Sequence, residues 1–139
     1  MNPIHGERHL NQGRNQKGEE AMIKETNVTL MVSDMERSVR FYSNTLGLKV
    51  KARYGDHFAQ IESPGTIIAL HPATKGGPKP GESGSISIGF SVDDLDKATA
   101  ELTKKGVIFS GTTDDAQVRL AFFADPDGNP LYLSQNKWS

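Results

Sequence analysis

The chain carries one pattern twice. Residues 32–38, VSDMERS, superpose on residues 92–98, VDDLDKA, at an offset of 60. Each copy follows a stretch alternating apolar and polar residues like a strand, 27–32 and 85–92, and each opens a segment with apolar residues at helical spacing. A chain with such a repeat must build one supersecondary unit twice, which excludes most folds available to 139 residues.

In the first copy, Ser33-Asp34-Met35-Glu36 reads as a capping box, the Ser33 hydroxyl and Glu36 carboxylate satisfying the free amides of a helix start. Met35, Val39, Tyr42 and Leu46 then mark one helical face, and Gly47 is placed to end the helix in a left-handed conformation. Strands are expected near 48–54, 57–62 and 66–71. In the second copy Asp93 is the expected cap, Leu95, Thr99 and Leu102 the buried side, and Gly106 the end. Strands are expected near 107–112, 117–124 and 130–135. The last two are joined by Asp125-Pro126-Asp127-Gly128-Asn129, in which Pro presets a turn dihedral, Asp and Asn bond their own backbone and Gly supplies a positive φ. The reading is α+β: two βαβββ modules, about 26–71 and 85–135, forming a concave mixed sheet with helices on its outer face.

Residues 1–21 are polar and read as a disordered or expression-derived extension, with His5 and His9 unsupported as a metal pair; one domain, 22–139, follows. Between the modules, 72–84 is rich in Gly and Pro and reads as a mobile, solvated linker, with a lid over the cavity or a hinge for module exchange between protomers as the alternatives. A net charge of −1 offers no basic field for nucleic acid, and no apolar run is long enough to span a membrane. The absence of cysteine excludes disulfides, thiolate ligands and a cysteine nucleophile and fits a reducing, cytoplasmic setting.

The helix opening VSDMERSVRFYSNTLGLKV and the closing FFADPDGNPLYL, in this order within two βαβββ copies, resemble the vicinal oxygen chelate superfamily, also called the glyoxalase, bleomycin-resistance and dioxygenase fold. The resemblance covers about 26–135. It implies metal-dependent isomerases, epimerases or dioxygenases, thiol transferases, or metal-free proteins that sequester drugs, and it implies a homodimer. Metal-using members place ligands near the start of each module's first strand and on each module's last strand. Those positions here are Asn27, Ala69, Ser87 and Tyr132, and none is the imidazole or carboxylate that a divalent ion of this type prefers. No metal or other cofactor is therefore expected.

Strand alternation assigns the concave face. Burying Val28, Leu30 and Val32 leaves Asn27, Thr29 and Met31 on it. Ile67, Ala69 and His71 join from the fourth strand, with Phe58, Gln60 and Glu62 from the third. In the second module the assignment gives Ser87, Gly89 and Ser91, Tyr132 and Ser134, and, with Val118, Leu120 and Phe122 as core, Arg119, Ala121 and Phe123. The expected ligand-binding set is Asn27, Thr29, Met31, Phe58, Ile67, His71, Ser87, Ser91, Arg119, Phe123 and Tyr132. Catalytic residues are left unassigned. Its aromatic and apolar surface with a few polar groups suits a small organic ligand, so the leading expectation is metal-independent binding, of the drug- or metabolite-sequestering kind. The alternatives are a glyoxalase-like lyase or isomerase, or a dioxygenase-like enzyme, with a non-standard site around His71 and Glu62 or His57, and a purely associative protein. Trp138 is expected to pack on the domain or on a dimer partner.

Overall fold

The computed structural model describes Gly18 and residues 21–137, so His5, His9, Trp138 and most of the polar extension lie outside the described residues. The first module runs β1 (Asn27–Val32), α1 (Met35–Arg40), a π-helical turn (Phe41–Thr45), β2 (Lys49–Tyr54), β3 (Phe58–Ser63) and β4 (Thr66–Pro72). The second runs β5 (Ile88–Ser91), α2 (Leu95–Lys104), β6 (Gly111–Asp114), β7 (Val118–Ala124) and β8 (Pro130–Asn136). Each module forms its own four-stranded mixed sheet, in the orders β1-β4-β3-β2 and β5-β8-β7-β6. In both, the first strand pairs in parallel with the last and the other neighbours are antiparallel. This is the two-module α+β fold expected from the repeat.

The second module departs from expectation at its strand limits. β5 starts at Ile88 rather than near 85, leaving Ser85, Ile86 and Ser87 outside the ladder, and β6 covers 111–114 rather than 107–112. Val107 is instead buried in the core and Phe109 packs against Phe123, with ring centroids 5.4 Å apart. The segment after α2 anchors the core by side chains before it joins the sheet.

The helix caps also shift by one residue. Asp34, not Ser33, caps α1, its carboxylate accepting from the Arg37 amide at 3.1 Å, and Asp94, not Asp93, caps α2 by accepting from Lys97 at 3.0 Å. Glu36 does not close a capping box; it pairs with Arg40 at 3.0 Å and with Arg53 of β2 at 2.9 Å. Carboxylates dominate at this cap position because they accept the free amides and complement the helix dipole. Gly47 and Gly106 end the helices at φ of +75° and +97°, as the sequence predicts.

Ser33 is free of the cap because it is used elsewhere. Its hydroxyl makes a short hydrogen bond to the Asp127 carboxylate, on the β7–β8 turn of the other module. The Arg37 guanidinium lies 3.4 Å from the same group. Next to it, the fully buried Tyr42 donates its hydroxyl to Asp125 at 2.7 Å. The Asp125 carboxylate also accepts from the amides of Asp127 (3.0 Å) and Asn129 (2.9 Å) and from the Asn129 side chain (2.9 Å). Burial first, and then the Asp125 charge, push the Tyr42 phenol far above its usual range, so it stays a donor. The helix widens into π geometry at this ring: Leu46 N–H donates to the Phe41 carbonyl, five residues back.

The end of the linker docks on the same turn, while most of its residues are exposed. Ser83 Oγ donates to Asn129 Oδ1 at 3.2 Å. Gly81 lies so close that a Cβ there would be 2.1 Å from the Asp127 carbonyl oxygen, and its φ is +79°. One hydrophobic cluster joins the modules, with Val32, Met35, Val39, Ile61, Ile68 and Leu70 from the first and Leu95, Ala121, Phe123, Leu131 and Leu133 from the second.

Two stability outcomes follow from this packing. Tyr42→Phe removes one donor from a buried carboxylate and is expected to cost about 1.5–3 kcal/mol, read as a lowered urea midpoint at unchanged slope. Ser38 on α1 is fully buried with no partner for its hydroxyl. Ser38→Ala is therefore expected to be neutral or to stabilise by up to about 1 kcal/mol, and a clear loss of stability would show that the hydroxyl has a partner.

Candidate functional site

The β8 strand fixes the site in the second module. Leu131 and Leu133 enter the core at 1% and 3% exposure, so Tyr132 and Ser134 must emerge on the opposite, concave face. Tyr132 pairs in register with Gly89 of β5 and Phe122 of β7. Its ring lies over Gly89, where a Cβ would come within 2.1 Å of the phenol carbon, and it tilts against Phe122 with centroids 6.4 Å apart. Ser91 and Ser134 approach at 3.4 Å beside this pair.

β7 has the opposite parity to the expectation. Ala121 and Phe123 are buried among the helix-side residues, opposite Leu133 and Leu131, whereas Leu120 and Phe122 share the face of Ser134 and Tyr132. Phe123 is thus core, not groove. Arg119 goes with it: its guanidinium grips Asp96 of α2 at 2.9 Å, with Asp114 at 3.6 Å. The hydrogen bond from Arg119 and then its charge hold the Asp96 carboxyl below the usual range. This exposed pair therefore favours the fold most above the ordinary Asp pKa, and its effect fades as pH falls through the lowered one. Gln135, also on the helix side, accepts from the Leu95 amide at 2.7 Å and secures the start of α2.

In the first module, register puts Asn27, Thr29 and Met31 beside Ile67, Ala69 and His71. Gln60 and Glu62 pair with Ala69 and Ile67. A bulge between Val50 and Ala52 turns Tyr54 onto the face of Phe58, and the two rings stack at 6.3 Å with Tyr54 66% exposed. Tyr54 and Phe122 are site features that the sequence reading does not assign, and Gly89, which it places on the concave face, has the unassigned role of seating the Tyr132 ring. The bulge hid the first and an apolar run the second. The third had a signal, a glycine inside an alternating strand.

The four inherited metal positions do not form a donor set. Asn27 offers only an amide, Ala69 is 4% exposed between Thr29 and Gln60 and has no donor, Ser87 lies outside β5, and Tyr132 presents a phenol packed on Phe122. Among the described residues no three His, Asp or Glu side chains converge on one point. Nor does the displaced alternative assemble. Glu62 is opposite Ile67, four residues from His71 along β4, a separation of about 13 Å at the rise of a strand. His71 Nδ1 is instead 2.8 Å from the Pro72 carbonyl, and His57 is exposed in the β2–β3 turn.

Two βαβββ modules, each with its own four-stranded mixed sheet, define the fold class. Residues 26–133 match the Glyoxalase/Bleomycin resistance protein/Dioxygenase superfamily, and the chain belongs to it. An uncharacterized protein of Mycolicibacterium smegmatis is 34% identical over 110 residues, covering 75% of this chain and 86% of its own. Among solved structures, TnmS3, an antibiotic binding protein from Streptomyces sp. CB03234, is 28% identical with a TM-score of 0.69, covering 84% of this chain and 98% of that one. Lactoylglutathione lyase from Agrobacterium tumefaciens shares the fold at 16% identity and a TM-score of 0.65, covering 79% of this chain and 91% of that one. No helix among the described residues is long and apolar enough to cross a membrane.

The seat of Tyr132 is open to test. Gly89→Ala is expected to destabilise by about 1–3 kcal/mol by driving a methyl group into the ring, and to cost much less in a Tyr132→Ala background. Additive effects in the double mutant would mean that the ring does not occupy that space.

Proposed function

We propose that this chain binds a small organic molecule on its concave faces without a metal ion, as a drug- or metabolite-sequestering protein acting as a cytoplasmic homodimer. The donor set carries the reading. Where metal-using relatives need imidazole or carboxylate, this chain has a buried alanine, an amide, a serine outside its strand and a phenol. The residues facing out around them are suited to stacking: Tyr132 with Phe122, and Tyr54 with Phe58. Flat rings on such faces gain area burial at small entropic cost, and Asn27, Thr29, Ser87, Ser91 and His71 offer the few polar contacts that set orientation. Met31 and Ile67 complete the apolar floor. The likeness to an antibiotic binding protein supports the same reading. β1 and β5 each end their sheet without a second ladder partner among the described residues, which leaves edges for a second copy to approach.

Binding of this kind is stoichiometric capture, so ligand stabilises the fold by mass action. A thermal-shift screen of antibiotics and aromatic metabolites is expected to find compounds that raise the melting temperature. For such a compound, Phe122→Ala and Tyr132→Ala should each weaken binding about tenfold or more, while Arg119→Ala leaves it unchanged, since Arg119 lies on the helix side. Purified protein carrying about one tightly held Zn, Ni, Mn or Fe per chain would sink the metal-free reading. Sedimentation as a monomer at micromolar concentration would sink the dimer.

A further inference from the structure

The internal repeat relates two junctions between the modules, and only one of them is filled. At the first, Tyr42 from the end of the first helix reaches the β7–β8 turn and bonds to Asp125, while Ser33 and Arg37 bond to Asp127. At the offset of 60, Tyr42 corresponds to Leu102 and Ser33 to Asp93; with Ala69 equivalent to Tyr132, the ladders match Gln60 to Phe122, so β3 and β7 run at an offset of 62 and Asp125 corresponds to Ser63, followed by the shorter turn at Pro64. The phenol is replaced by an aliphatic side chain and its carboxylate acceptor by a serine, and the shorter turn carries Pro64 in place of Asp127, the acceptor of Ser33 and Arg37. No bonded clasp of this type can form there.

The structure has a cavity of about 560 Å³ at this second junction, walled by Leu102 and Pro64 themselves together with Leu46, Phe90 and Leu133. Its polar groups are the hydroxyls of Thr45 and Ser63, with Ser63 only 8% exposed. Glu101 and Lys105 border it with opposite charges, and the Lys105 ammonium is held by the carbonyls of Asn44 at 3.1 Å and Thr45 at 3.4 Å. The volume is that of small-molecule pockets, the walls combine apolar side chains with polar groups, and no net charge selects for an ion. Gly89 borders the cavity from β5, whose other face seats the Tyr132 ring, so the cavity is separate from the concave groove.

We propose that this junction cavity binds a small, neutral, mostly apolar molecule bearing a hydroxyl group, which takes the place that the Tyr42 phenol holds at the first junction. The site is independent of the groove proposed above. Its probe is p-cresol, the side chain of tyrosine, titrated to roughly 10 mM into the full-length ¹⁵N-labelled chain, in the millimolar range expected for so small a ligand. Saturable amide shifts are expected at residues 46–48, 89–92 and 98–105. Leu102→Phe, which fills the space, should weaken the fitted affinity about tenfold and raise the melting temperature. Ala98→Leu serves in its place if that variant does not fold. The proposal is overturned if no saturable shifts occur, if they map to Tyr54, Phe58 and Phe122 instead, or if a folded filling variant binds p-cresol as well as the parent does.

Discussion

The bond from the Tyr42 hydroxyl to the Asp125 carboxylate joins two modules that share no hydrogen-bonded sheet. Both partners are buried, and a carboxylate away from water is tolerated only when its oxygens are satisfied. Asp125 meets that condition with two backbone amides and one side-chain amide from its own turn, and the phenol of the other module supplies the fourth donor. The turn therefore cannot relax without uncovering a charge, nor can α1 move away without doing the same. Ser33, Arg37, Gly81 and Ser83 then converge on Asp127 and Asn129, so the end of β1, the first helix and the linker are all referenced to five residues. This is a case in which satisfying one buried ion specifies the relation between two halves of a chain.

The same turn fixes the chemistry of the groove. β8 leaves it at Pro130, and with Leu131 and Leu133 committed to the core, a slip of one residue would turn Tyr132 inward and expose two leucines. The register thus presents a phenol on the face opposite the two leucines. Gly89 is the complementary decision on the neighbouring strand, since any side chain there would occupy the space of the ring. Together they turn a coordination position into an aromatic surface, with Phe122 as its second wall.

The architecture was legible because its signals are periodic and local: two alternating strands, two helical faces, two glycine ends and one turn, in the same order twice. β7 was not, because Leu120-Ala121-Phe122-Phe123 is apolar on both faces, and alternation carries no information where both sides are hydrophobic. Only the pairing of Ala121 with Leu133 and of Phe123 with Leu131 settles which phenylalanine is core, and that is a tertiary fact. The error carried Arg119 into the groove, where its partner Asp96 on α2 could not be foreseen. The cap errors have a different origin. Ser33 has the right chemistry for a helix cap, but an acceptor 94 residues away competes for it, and Asp34 is equally suited to the vacancy.

Divergence between the two copies is what gives this chain its particular character. A perfect repeat would put a tyrosine on both helices and an aspartate in both β3–β4 and β7–β8 turns, and both junctions would close. Here the first junction retains polar closure, while at the second Leu102 and Pro64 keep the apolar wall and lose the bonding groups. The groove shows the same asymmetry, with Ala69 at the position in the first module that Tyr132 holds in the second. One small and one large residue on equivalent strands leave room on the first sheet and a ring on the second. On the function proposed above, such a surface would receive a flat molecule rather than surround an ion.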